Sequence, residues 1–278
     1  MFRYSYDALV YFGEDISESI KRVARFGYDA IELVGEPDQL NGASIRKQAA
    51  DAGIGVSSIC SIFTGEARDL TNKSAANREK AVDYCKKVAD LAAASGAPIM
   101  IVAPSPVGKM APESDPAQEW AWAVEGIQKA ADYAASQNVK LCIEAWNRYE
   151  THFINQIPQA LELMKAVDKP NVGVMGDTFH MNIDDKDIAG AIRDAGKAMI
   201  HIHFADSNRA APGQGHTDFV PIMQALKDVG YEGHITFELL PPSSDPFATL
   251  RRGGGREFYD DYTKQSIEVI KALESKLT

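Results

Sequence analysis

The chain has 278 residues, and 29 Lys and Arg side chains against 39 Asp and Glu give it a formal charge of −10. This balance argues against nucleic acid or an anionic membrane as a partner, because both attract clustered basic charge. With 45% hydrophobic residues the chain can bury a large core, and its length suits a single α/β barrel domain over residues 1–278. All six histidines lie from His152 onward, so we expect imidazole chemistry to use the second half.

Short apolar runs alternate with amphipathic helical patterns along the whole chain. Strands are predicted near residues 3–7, 29–34, 54–60, 98–103, 139–144, 172–177, 199–204 and 234–238. A helical pattern follows each strand, the longest over 75–94 and 117–136. Eight alternations predict a single (β/α)₈ TIM barrel. The rival, a doubly wound open sheet, is disfavoured because no G-x-G-x-x-G motif follows the first strand.

The cysteines and the apolar segments bear on the compartment. Cys60, Cys85 and Cys142 are odd in number and lack C-x-x-C spacing, which indicates buried thiols in a reducing compartment. The first residues lack the apolar run of a signal peptide, and the apolar run at 97–104 is too short to span a bilayer. A cytoplasmic protein without membrane contact is expected.

Ionisable residues end four consecutive predicted strands. Glu144, Asp177, His203 and Glu238 are each separated by about one strand-helix repeat, so barrel closure would gather them on one rim. Three carboxylates and a histidine without nearby basic groups would repel one another unless a cation lies between them. This donor set predicts one divalent metal ion, with Mn²⁺ favoured, Mg²⁺ and Co²⁺ as alternatives and Zn²⁺ less favoured.

Histidine 201 competes with His203 for the ligand role, because strand alternation puts both on the same side. His203 lies nearer the end of the strand and is the predicted ligand, which leaves His201 as a core residue or a support for the ligands. Glu150, His180 and Arg209 follow the ligands at short distances in sequence. Their side chains could bind the oxygens of a polyhydroxylated substrate.

Two long loops interrupt the compact scheme, at 104–116 and 241–256. Loops after barrel strands surround the active site, so both are candidate functional segments. Phe63, Trp146 and Phe247 are candidates for an apolar wall around the far end of a substrate.

Several segments resemble a known family. They are the run from Glu144 to Glu150 (EAWNRYE), the run from Asp177 to Asn182 (DTFHMN) and the stretch from His203 to Gly215. These are similar to the ketose 3-epimerases of the D-tagatose and D-psicose type, within the xylose-isomerase-like TIM-barrel sugar isomerase/epimerase superfamily.

The resemblance implies roles for the strand-end residues. Glu144, Asp177, His203 and Glu238 would hold the metal, and Glu144 and Glu238 would also form the acid/base pair that inverts C3 through a cis-enediolate. Glu150, His180 and Arg209 would hold O1 and O2 of a free ketose. The resemblance also implies a homodimer or a homotetramer.

Other functions use the same kind of site. Aldose–ketose isomerisation, or dehydration of an inosose or of 3-dehydroshikimate, would need the same metal chemistry. A DNA-repair endonuclease is disfavoured by the charge of −10 and the histidine-free first half. A non-catalytic sugar-binding or scaffold protein is disfavoured by the intact set of four candidate ligands.

Overall fold

Eight parallel strands close into a barrel in the computed structural model, which describes residues 1–241, 243, 248–249, 252 and 254–277. Each strand pairs with its neighbours in chain order, and the first pairs with the last. The strands are β1 Arg3–Asp7, β2 Ala30–Gly35, β3 Gly55–Ser61, β4 Ile99–Val102, β5 Lys140–Glu144, β6 Val172–Asp177, β7 Met199–Phe204 and β8 His234–Phe237. The predicted TIM barrel is confirmed.

Helices surround the barrel. They are α1 Ile16–Arg25, α2 Gly42–Asp51, α3 Ala75–Ser95, α4 Pro116–Ser136, α5 Ile157–Val167, α6 Thr178–Asp184, α7 Ile188–Ala195, α8 Phe219–Asp228 and α9 Tyr259–Glu274. Asp15 caps α1 by accepting from the Ser17 amide, and Gly96 ends α3 at φ 82°, a left-handed conformation that glycine adopts without strain. No helix in the described part of the chain combines the length and the apolar character needed to cross a bilayer.

The loop after β4 is fastened to its neighbours through Lys109. The amide of Gly108 donates to the carbonyl of Glu150 at 2.8 Å, and the amide of His152 donates to the carbonyl of Lys109 at 3.0 Å. The Lys109 ammonium donates to Asp69 Oδ2 at 2.9 Å and to Thr71 Oγ1 at 2.8 Å. The loops after β3, β4 and β5 are therefore joined at the carboxyl end of the barrel.

Three acids surround the Lys109 ammonium, and two of them, Asp69 and Glu119, are buried. Its Nζ lies 3.6 Å from Glu119 Oε1 and 3.8 Å from Glu113 Oε2, and His152 Nε2 lies 3.3 Å from Glu119 Oε2. Asp69 and Glu119 are almost inaccessible to solvent. We refer to Asp69, Lys109, Glu113, Glu119 and His152 as the loop cluster. Half of the second long loop, 241–256, lies outside the described residues, and Phe247 is in that half.

Candidate metal and active site

The four predicted ligands lie together at the carboxyl ends of β5 to β8. Glu144 and Asp177 end β5 and β6, His203 is the penultimate residue of β7, and Glu238 follows β8 directly. Asp177 and His203 are paired in the parallel register of β6 and β7, so their side chains are neighbours. All four side chains are buried. We refer to these four residues as the strand-end cluster.

The donor atoms of this cluster are close enough to share one ion. One atom from each of Glu144, Asp177 and His203 lies within 4.8 Å of the others, and His203 Nδ1 lies 3.7 Å from Glu238 Oε2. Asp177 Oδ2 and His203 Nδ1 are buried and make no hydrogen bond to any described residue. Buried polar atoms normally have a partner, and these oxygen and nitrogen donors suit a divalent cation. The residues therefore fit a metal ion.

The electrostatics of the cluster also favour a cation. Burial raises the pKa of Asp177 to about 7, and the Glu238 carboxylate adds to the effect. Burial likewise raises the pKa of Glu144 well above its ordinary value, although His203 opposes this and Glu238 reinforces it. These directions describe carboxylates that lack sufficient positive charge nearby. A divalent ion among them would supply positive charge and lower these pKa values.

Arg209 corrects one premise of the sequence argument, which assumed that no basic group lies near the carboxylates. Its Nη2 donates to Glu238 Oε2 at 2.9 Å, and its Nη1 donates to Glu150 Oε1 at 3.2 Å. Burial disfavours the ionised form of Glu238, but Arg209 and His203 together outweigh burial and hold the pKa of this carboxyl well below its usual range. The backbone of Arg209 is left-handed, with φ 64°. The arginine thus supplies positive charge to Glu238.

Glu150 and His180 lie on the same rim, joined through Asn147. Asn147 Nδ2 donates to Glu150 Oε1 at 3.1 Å and lies 2.8 Å from His180 Nδ1. His180 Nε2 points toward the cluster, 3.9 Å from Glu144 Oε1 and 3.8 Å from Asp177 Oδ2. Burial lowers the pKa of His180 well below its ordinary value, so the ring is neutral. With Nδ1 accepting from the amide, Nε2 carries the proton and faces the site.

The three aromatic residues predicted as a pocket wall are in different situations. Trp146 is buried and lines a small cleft together with Glu144 and Ser105. Phe63 is buried in an edge-to-face contact with Tyr84, with ring centroids 5.6 Å apart. Phe247 lies outside the described residues. The role of each residue toward a ligand stays a prediction.

The sequence argument missed three buried residues from the first half of the barrel: Asp7, Glu32 and Cys60. Donor atoms of Asp7, Cys60 and Glu238 lie within 4.8 Å of one another. Asp7 ends β1 in the way that Asp177 ends β6, and this signal could have found it. Cys60 gives no such signal, because a cysteine in an apolar strand looks like an ordinary core residue. The first half therefore contributes charged groups to the barrel interior.

Glu32 contacts both histidines of β7. His201 Nε2 is 2.8 Å from Glu32 Oε2, and His203 Nε2 is 2.7 Å from Glu32 Oε1. All three residues are buried. The two imidazole rings lie side by side, with centroids 5.0 Å apart, and share this one carboxylate.

Comparison with known proteins gives consistent matches. A family model described as "Xylose isomerase-like TIM barrel" matches residues 20–273. D-psicose 3-epimerase of Agrobacterium fabrum is 35% identical over 230 residues, which cover 79% of this chain and 77% of that protein. L-ribulose 3-epimerase of Methylomonas sp. is 31% identical over 241 residues, covering 84% and 83%. The crystal structure of D-psicose 3-epimerase with D-tagatose from Clostridium cellulolyticum H10 has a TM-score of 0.87 and 25% identity, covering 98% of this chain and 99% of that one.

Proposed function

Because the chain belongs to the xylose isomerase-like TIM-barrel family, we propose that it is a divalent-metal-dependent epimerase that inverts C3 of a free ketose. The observation that carries the proposal is the convergence of Glu144, Asp177, His203 and Glu238 on one buried rim. Three polar side chains that could bind the oxygens of a sugar lie beside them: Glu150, His180 and Arg209.

The relatives show that the chain is a carbohydrate epimerase. Relatives that cover more than three quarters of the chain are named as epimerases, which confirms the prediction of an enzyme of the isomerase class. The same relatives do not favour an aldose–ketose isomerase or a dehydratase. The position of inversion, the acid/base residues and the identity of the metal belong to the proposal.

Epimerisation at C3 requires two proton transfers on opposite faces of the sugar. In the barrel order, two strands separate β5 from β8 on one side and four on the other, so Glu144 and Glu238 flank the centre of the mouth. We assign Glu238 as the base that takes the C3 proton, with the electron pair moving into a C2–C3 enediolate. Glu144, which enters this step protonated, then delivers its proton to the opposite face of C3 and is left ionised, and the two roles exchange in the reverse direction.

The remaining groups orient the ketose and hold the ion. Arg209 and the Nε2–H of His180 can donate to O1 and O2, and Glu150 can accept from a hydroxyl. Glu144, Asp177, His203 and Glu238 would hold the ion, which supplies polarisation of the C2 carbonyl when it is bound. Burial of all four residues excludes water from the reacting atoms.

The proposal is tested by incubating D-psicose, D-fructose, D-tagatose and L-ribulose with the Mn²⁺-loaded protein in D₂O. We expect inversion at C3 and incorporation of solvent deuterium at that carbon, both of which NMR detects. Glu238→Gln and Glu144→Gln should each slow this exchange by roughly 10²–10⁴-fold. Glu125→Gln, at an exposed ion pair with Lys129 on α4, is the matched control and should exchange at the wild-type rate.

Three outcomes would change the assignment. Formation of an aldose without C3 inversion would replace the epimerase with an isomerase. Near wild-type exchange in either glutamine variant would remove that residue from the acid/base pair. Sugar binding without any turnover would leave a binding protein.

Finer expectations from the sequence are part of the proposal. Mn²⁺ is the proposed native ion, and metal analysis of the purified protein tests it. A homodimer or homotetramer is the proposed assembly, and light scattering tests it. A cytoplasmic location is supported by Cys60, Cys85 and Cys142, which are all buried free thiols.

A further inference from the structure

A charged residue occupies the middle of the second barrel strand. Glu32 lies in β2 between Ile31 and Leu33, with no solvent exposure. Neither the sequence argument nor the proposed reaction gives this carboxylate a role. Burying a carboxylate is costly unless it is paired, so its partners indicate what it does.

The partners of Glu32 come from both sides of the barrel interior. One carboxylate oxygen lies 2.7 Å from His203 Nε2, and the other lies 2.8 Å from His201 Nε2. Ser58 Oγ on β3 also donates to the carboxylate. Ser58 Oγ lies 3.0 Å from Ser57 Oγ, which lies 2.7 Å from Ser5 Oγ, so the hydroxyls of β1 and β3 back this contact.

These distances locate the proton on the metal-facing histidine. A carboxylate oxygen and an unprotonated ring nitrogen would repel each other at 2.7 Å, so Nε2 of His203 carries the proton. When an ion is bound, Nδ1 is therefore the ring nitrogen that can offer it a lone pair. Nδ1 lies 3.7 Å from Glu238 Oε2, on the side of the strand-end cluster.

We infer that Glu32 is a positioning residue that fixes His203 as the Nε2–H tautomer and directs its Nδ1 lone pair into the metal site. Ligand histidines are commonly held in this way by a carboxylate on the second ring nitrogen. His201 and Ser58 occupy the rest of the carboxylate and keep it from turning away from His203. The inference rests on the metal site of the proposed function but not on its sugar chemistry.

A different reading of the same residues is a second metal site. Donor atoms of Glu32, His201 and His203 also lie within 4.8 Å of one another. However, both carboxylate oxygens already lie within 2.8 Å of a ring nitrogen, which leaves no room for an ion between the atoms. We therefore expect one tightly bound Mn²⁺ per chain, whereas a second site would give two.

The first test is calorimetric titration with Mn²⁺. Glu32→Gln offers one oxygen where two ring N–H groups need acceptors, so we expect its affinity to fall by about 10–100-fold at unchanged stoichiometry. Glu36→Gln is the matched control, because Glu36 pairs with Arg68 near the surface just beyond the same strand. Wild-type affinity in folded Glu32→Gln, or loss of one of two bound ions, would overturn the inference.

The second test reads the tautomer directly and needs no variant that might fail to fold. In ¹⁵N-labelled wild-type protein loaded with Mg²⁺, the imidazole of His203 should show a protonated Nε2 and an unprotonated Nδ1. A protonated Nδ1 would overturn the inference. Because neither test measures turnover, failure of the ketose reaction with this tautomer intact would count against the proposed function alone.

Discussion

The strand-end cluster and the loop cluster both bury several carboxylates, yet they neutralise them differently. In the loop cluster the Lys109 ammonium lies within 4 Å of Asp69, Glu113 and Glu119, so the protein supplies the central cation itself. In the strand-end cluster, Glu144 and Asp177 face His180, whose burial keeps it neutral. Arg209 contacts Glu238 on one side only.

Buried acids alone therefore do not mark a metal site. Carboxylates around a lysine are neutralised within the protein and stabilise the fold. Carboxylates with too little positive charge nearby favour the binding of a metal ion from solution. The comparison predicts that the loop cluster governs stability without regard to metal, and that the strand-end cluster governs the response to metal.

The largest effect is expected from Lys109→Met. Removing the ammonium leaves Asp69 and Glu119 buried without their cation, so the free energy of unfolding should fall by about 3–5 kcal/mol. Lys129→Met, at an exposed pair with Glu125, should change it by less than about 1 kcal/mol. Urea denaturation of the metal-free proteins measures both changes.

A second change keeps this prediction testable if Lys109→Met does not fold. Adding Asp69→Asn removes one of the stranded charges and should restore part of the stability. Equal stability of the Lys109 and Lys129 variants would contradict the role of the loop cluster.

An intermediate effect is expected from metal addition. Mn²⁺ at about one hundred times its Kd should stabilise the wild-type protein by about 2.7 kcal/mol, seen as a higher Tm. Asp177→Asn should abolish most of this gain without lowering the stability of the metal-free protein, because it removes a buried charge that faces other carboxylates. The Asn oxygen can still accept from the Phe179 amide, as Asp177 Oδ1 does.

Asp187→Asn provides the matched control for that experiment. Asp187 also caps a helix through its side chain, but it is exposed and is not part of the cluster. Its variant should keep the full Mn²⁺-induced rise in Tm. A full rise in Asp177→Asn would break the comparison.

The smallest effect is expected from His152→Gln in the loop cluster. Burial lowers the pKa of His152, and Lys109 adds to this although Glu119 opposes it. At pH 8 the ring is neutral in both states, so the change should be below about 1 kcal/mol. Below about pH 6.5 the unfolded chain takes up the proton before the folded one, so wild-type stability should fall with pH more steeply than that of the variant.

Urea denaturation between pH 8 and pH 5.5 measures this difference. A wild-type protein that gains stability relative to His152→Gln as the pH falls would show that the Glu119 carboxylate dominates the environment of the ring.

The sequence predicted the barrel well because its strands are short apolar runs with clear ends. Every strand lies within one residue of its predicted limits, and residues that end strands, such as Glu144 and Asp177, meet simply because the strands are parallel. The role of Glu32 was not predicted because its histidine partners lie across the barrel interior on β7, and no local sequence pattern encodes that contact.

The ion pairs of Lys109 were not predicted for a related reason. It is a single lysine in a proline-rich loop, and its partners Asp69 and His152 lie some forty residues away in either direction. Which loops pack together at the mouth depends on their folded shapes rather than on strand order. Ion pairs between loops are thus harder to predict from the sequence than the convergence of charged residues at strand ends.

The left-handed backbone of Arg209 has a consequence for how this protein could evolve. A φ of 64° is comfortable for glycine and strained by about 1–3 kcal/mol for other residues. Replacement by glycine would relax the backbone and at the same step delete the cation that Glu238 and Glu150 face. A buried carboxylate that loses its cation costs about 3–5 kcal/mol, which is more than the strain that glycine would relieve. Selection for stability and selection for chemistry would therefore both keep the arginine at this position.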